Sequence, residues 1–176
     1  NGKTVTENGE EHCDIAVADG KICEIGKINS EAKFVEDVSN LLVLPGGIDA
    51  HVHIDQPSGP DVEMADNFLS ATKSAAAGGN TTVLPFAMQE KGQSLRECVE
   101  NYHKKANGNL FVDTSFHLII SDPSPQVLGQ ELPALARDGY TSFKVFMTYD
   151  DLVLNDEELL KVFEVAKNEK TLVMVH

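Results

Sequence analysis

The spacing of apolar residues changes character once along the chain. Residues 1–44 carry short alternating runs broken by turn signals. Asn8-Gly9 marks one tight turn, and Ala18-Asp19-Gly20 separates residues 14–17 from residues 21–25 as the arms of a hairpin. Residues 34–38 and 41–44 read as two further strands. A β module of this size is too small to stand alone, so it is expected to pack on something else or to be completed by strands beyond the chain.

From Gly47 onward the pattern alternates between strand and helix. Strands are predicted over residues 48–53, 81–86, 111–120, 142–146 and 171–176. A helix over 66–77 runs into Gly78-Gly79, a C-terminal stop signal. A second, over 94–107, places Leu95, Cys98, Val99 and Tyr102 on one stripe. A short third over 131–138 stops at Gly139. The fourth, over 156–168, has Asn155 as N-cap with Glu158 three residues on, and turns Leu159, Val162, Phe163 and Ala166 inward. Such alternation predicts an α/β fold with parallel strands joined by right-handed crossovers. The expected division is 1–44 for the β module and 45–176 for the α/β unit. A doubly wound sheet and a (β/α)8 barrel begin alike, and periodicity does not choose between them.

Candidate chemistry starts in the segment LLVLPGGIDAHVH, residues 41–53. On a regular strand Asp49, His51 and His53 share one face, with imidazoles about 7 Å apart that can converge on one ion. A lone His-x-His is more often structural. Here, however, Lys144 lies in the fourth predicted strand and His176 ends the fifth. In parallel α/β architectures the carboxyl ends of the strands form the functional face, so three segments bring metal-capable groups to one rim. Unmodified, the Lys144 ammonium would repel a divalent ion; carbamylation would make it an anionic oxygen donor. His12 and His103 read as solvated, and His117 as a bonded core or strand-end residue. The polar loop 55–67, with residues 86–92 and 149–155, is placed to border a substrate pocket.

Composition narrows the class. The 176 residues are 41% hydrophobic and carry a net charge of −14, which suits a globular protein and argues against nucleic acid and anionic membranes as partners. Three widely spaced cysteines, Cys13, Cys23 and Cys98, suit reduced thiols in a cytoplasmic protein rather than a disulfide frame. No glycine-rich nucleotide fingerprint follows a strand. A start at Asn1 without methionine, and a stop at His176 within an apolar run, read as a chain cut at both ends.

Five segments, VADGKICEIG, VLPGGIDAHVHIDQP, AAAGGNTTVLPF, SFKVFMTYDD and the terminal VMVH, together resemble the dihydropyrimidinase/hydantoinase branch of the amidohydrolase superfamily. The resemblance covers essentially the whole chain. It implies the first five strands of a (β/α)8 TIM-like barrel, preceded by part of a small β-sandwich built from both termini. It further implies two divalent metal ions, zinc being the expected pair. His51 and His53 would hold the more buried ion, carbamylated Lys144 the bridge, and His176 the second ion. Tyr149 matches the family tyrosine that bonds the developing oxyanion and contacts substrate. The implied reaction is metal-assisted opening of a dihydropyrimidine or hydantoin ring to an N-carbamoyl amino acid, by a homotetramer when full length. The family's later histidine and catalytic aspartate lie beyond residue 176, so this polypeptide alone is expected to be inactive. Rival readings are an allantoinase or dihydroorotase, or a dihydropyrimidinase-related interaction protein that has lost its ligands. Retention of all four ligands opposes the last, and the segment HIDQPSGPD resembles hydantoinases more.

Overall fold

The computed structural model describes residues 1–176, which form two compact units, Asn1–Gly46 and Gly47–His176. The first is a four-stranded sheet in the order β3-β2-β1-β4, from β1 (Gly2–Thr6), β2 (Gly9–Ala18), β3 (Lys21–Gly26) and β4 (Leu42–Val43). The β2–β3 connection is a two-residue turn in which Asp19 and Gly20 both have positive φ, the backbone twist that tight hairpins need. The strand expected over 34–38 does not form. β1 has β2 on one side and β4 on the other, so its edges are taken. The Asp37 carboxylate also accepts from the Ser39 N–H and hydroxyl, drawing the segment into a turn.

The second unit holds β5 (Gly47–Val52), β6 (Asn80–Met88), β7 (Asp113–Thr114), β8 (His117–Ile119), β9 (Ser142–Val145) and β10 (Leu172–Val175). Its helices are α1 (Phe68–Ala77), α2 (Leu95–Ala106), α3 (Leu132–Arg137) and α4 (Asp156–Glu169). The main sheet runs β10-β9-β8-β6-β5, all parallel, with β7 beside β6. Neighbours in space are therefore successive in the chain. A doubly wound sheet would reverse direction at a switch point; this one never does, and it is a parallel half-barrel. The single strand expected over 111–120 is split into β7 and β8, with Ser115 and Phe116 between them.

Helix caps follow the sequence signals. The Asn67, Ser94 and Asn155 side chains accept from the backbone N–H of Ser70, Glu97 and Glu158, and Glu158 returns the bond to Asn155 in a capping box. Leu159, Val162 and Ala166 of α4 are buried, but Phe163 is 38% exposed and does not face inward as expected. A π-turn, Val127–Glu131, leads directly into α3. Its purpose is visible in Glu131, whose buried carboxylate accepts from Ser94 Oγ, from the Leu95 and Arg96 N–H groups, and from Gln126 Nε2. It thus closes the N-terminus of α2 from a distant part of the chain.

Two apolar clusters show which sheet face is which. Val52, Val83, Ala87, Leu118, Phe143, Val145 and Val173 pack with the helices. Phe86, Ile119, Phe146, Met88 and Met174 belong to a separate cluster on the opposite face. By the two-residue strand period, Ser142 and Lys144 share that inner face with Phe146, and His117 shares it with Ile119.

Candidate metal centre

The inner face carries every sequence-predicted donor. β5 does not reach it as a regular strand. Asp49 pairs with Val83 and Val52 with Pro85, so β5 spends three residues where β6 spends two, a bulge at Ala50 and His51. Strict alternation from Asp49 to His53, the reading of the isolated motif, is therefore broken. The two imidazoles still meet, with ring centroids 5.7 Å apart. Both rest on the buried ring of Phe86, His51 edge-on at 4.8 Å and His53 stacked at 5.0 Å.

The tautomer of His53 is set by its neighbours. Gln56 Nε2 donates to the Phe86 carbonyl at 3.1 Å, which turns Gln56 Oε1 towards His53 Nδ1. An amide oxygen can only accept, so His53 Nδ1 donates, and in the neutral ring the lone pair is left on Nε2. The His51 ring has no hydrogen-bond partner. Burial, then the repulsion a charged His51 would meet from His53, Lys144 and His117 when they carry a proton, hold its pKa below the usual histidine value, favouring the neutral, ligating form.

Lys144 is paired in register with Ile119 on one side and Met174 on the other. It is only 7% exposed, and its Nζ has neither an ion pair nor a hydrogen bond, only the Phe146 ring at 5.3 Å. His176 follows β10, stacks on Phe146 at 5.3 Å, and faces Tyr149 at 5.0 Å. Tyr149 is largely exposed and has φ of 67°, a left-handed conformation that is uncommon for an aromatic residue. Its carbonyl accepts from the N–H groups of Leu152 and Val153.

The donors thus form two groups, His51 with His53 and His176 with Tyr149. Lys144 is near both, through its field at His51 and its contact with Phe146. No three His, Cys, Asp or Glu side chains converge on one point. A full ligand set on this face must therefore include the lysine or residues from elsewhere in a longer chain. The donor chemistry otherwise fits a metal: two imidazole rings at one strand end, and a largely buried lysine whose Nζ has no partner within the chain. His103 bonds the Tyr140 hydroxyl and packs on Phe116, and His12 is exposed. The motif reading missed Gln56 and Phe86. Both lie within or beside the HxH strand and its parallel neighbour, and a Gln three residues after a candidate ligand was the available signal.

The amidohydrolase family profile matches residues 42–176. D-hydantoinase of Rhizobium radiobacter is 41% identical over 177 residues, covering 100% of this chain and 38% of the relative. Dihydropyrimidinase of Rattus norvegicus is 33% identical, covering 99% of this chain and 35% of the relative. Among solved structures, a D-hydantoinase superposes with a TM-score of 0.88 at 37% identity, and a dihydropyrimidinase from Brevibacillus agri NCHU1002 with 0.84 at 35%, each over 100% of this chain and 38% of the other. The chain spans well under half the length of these relatives. Members of the matched family are generally metal-dependent. On the profile match and the full-length similarity together, this chain belongs to the amidohydrolase family.

Proposed function

We propose that the full-length protein opens a dihydropyrimidine or hydantoin ring by metal-dependent hydrolysis, yielding an N-carbamoyl amino acid. The observation that carries this reading is the gathering of His51, His53, Lys144 and His176 on one sheet face, in a chain similar throughout to hydantoinases. His51 and His53 would hold one divalent cation, His176 a second, and Lys144, as its carbamate, both. Zinc is the expected ion. Lys144 Nζ has no ion-pair or hydrogen-bond partner in the chain to hold it as an ammonium; once it has given up its proton, the free amine can add carbon dioxide and lose a second proton to water, becoming an anionic oxygen donor. When bound, such a metal pair supplies an activated water and polarises the ring carbonyl.

The chain's own residues do the rest. Gln56 holds the proton on His53 Nδ1, keeping Nε2 available. Tyr149, set beside His176 by its left-handed backbone, would donate its phenolic O–H to the oxygen on which charge develops. Phe86, Ile119 and Phe146 give the site an apolar floor that limits stray water. Assembly as a homotetramer and a cytoplasmic location complete the proposal; three free cysteines suit a reducing compartment.

The test is metal analysis and turnover of the full-length protein on dihydrouracil, hydantoin, allantoin and dihydroorotate in parallel. About two ions per chain are expected, with activity on the first two substrates. His51→Ala should lose metal and turnover together, and a fully active His51→Ala protein overturns the proposal.

A further inference from the structure

We propose that His117 is a positioning residue for the His51–His53 pair, acting by holding the β5 bulge in place. The inference rests on the metal-site reading above and extends it to a residue that is itself no ligand. His117 Nε2 contacts the Ala50 carbonyl at 2.8 Å, and His117 Nδ1 contacts Ser142 Oγ. A carbonyl only accepts, so Nε2 carries the proton and donates; Nδ1 then accepts from the Ser142 hydroxyl. With both nitrogens committed and the ring buried, His117 has no lone pair left for a metal.

What it holds is the irregular part of the strand. Ala50 lies inside the bulge, where β5 and β6 fall out of step. Opposite Val52 stands Pro85, which has no N–H to offer the ladder. Bulges re-aim the side chains that follow them, and the residue after Ala50 is His51. A donor from β8 fixes the Ala50 carbonyl, and with it the peptide plane that leads into His51. The other end of the same imidazole is anchored on β9 at Ser142, two residues before Lys144 and on the same face. One ring therefore ties the strand carrying the histidine pair to the strand carrying the lysine, across β6. Phe86 fills the space between, 5.0 Å from the His117 ring and in contact with both candidate ligand rings.

The test uses the full-length protein, stripped of metal by chelation and titrated with Co2+, whose absorption spectrum reports ligand geometry. His117→Phe keeps the ring and removes both bonds, and its cobalt affinity should fall about 10–100-fold with an altered spectrum. His117→Gln keeps a donor near the position of Nε2 and should recover most of the loss. Hydrogen exchange over residues 47–54 of the metal-free protein should quicken in the Phe variant and not in the Gln variant. Wild-type affinity and spectrum in His117→Phe overturn the inference while leaving the metal site standing. Where His117→Phe does not fold, Ser142→Ala takes its place: weakened cobalt binding supports the tie, and unchanged binding overturns it. A wild-type protein that binds no cobalt sinks the metal-site reading itself, and this inference with it.

Discussion

Glu131 offers the sharpest test of how the half-barrel is held together. The residue is 4% exposed, and its carboxylate accepts from Leu95 N–H at 2.6 Å, Gln126 Nε2 at 2.7 Å, Ser94 Oγ at 3.1 Å and Arg96 N–H at 3.3 Å. Two of these donors are first-turn amides of α2, which have no partner within the helix. Burial pushes the carboxyl pKa up, but the bonds from Gln126, Arg96, Ser94 and Leu95 outweigh it, so the group titrates below the usual glutamate value. Glu131→Ala leaves four donors without this acceptor at about 1 kcal/mol each, partly offset because a charge need no longer be desolvated. The net loss should be about 3 kcal/mol, equivalent to roughly 100-fold faster exchange of the α2 amides where local opening controls it. Glu131→Gln, which keeps the shape but swaps one acceptor oxygen for a donor, should lose about half as much. The sign of the pH dependence follows from the depressed pKa. The stabilisation is fully present above the unfolded glutamate value of about 4.3 and is lost as pH falls through the lower folded value. Urea denaturation from pH 7 down to pH 3, with exchange mass spectrometry over residues 94–106, measures both effects. A Glu131→Gln protein as stable as wild type at neutral pH, or one with the same acid sensitivity, would refute this account of the cap.

Two further outcomes can be checked with simpler measurements. Asn155→Ala removes one half of the α4 capping box and should lower stability by about 1 kcal/mol in denaturant titrations, with Asn155→Asp restoring most of it. The Cys98 thiol is buried in the core and desolvation pushes its pKa up to about 12, so native protein should leave it unalkylated by iodoacetamide at pH 8 while exposed Cys23 reacts.

What could be read from the sequence divides along a physical line. Features decided within about four residues were legible: the Asn155–Glu158 cap, the Leu95, Cys98, Val99 and Tyr102 stripe, the Asp19-Gly20 turn, and the apolar runs of β6, β9 and β10. The strand-end positions of His51, His53 and His176 follow from those runs. Features decided by register between strands were not legible. The β5 bulge exists only relative to β6, so Ala50 gives no sign of it, and strict alternation was the natural but incorrect expectation. Phe163 read as an inward residue because helical spacing locates a stripe without fixing its width, and only the packed sheet shows where that stripe ends. Residues 34–38 look like a strand by composition, but both edges of β1 are taken and Asp37 draws the segment into a turn with Ser39. The same distinction explains His117 and Glu131. Their partners are Ala50, Ser142, Ser94 and Leu95, 67, 25, 37 and 36 residues away, so each reads as an unremarkable core residue until the strands are in register. The candidate ligands are thus written locally, whereas their alignment depends on pairing between strands. A substitution in β6 or β8 that leaves every candidate ligand intact can therefore misalign them by shifting register alone.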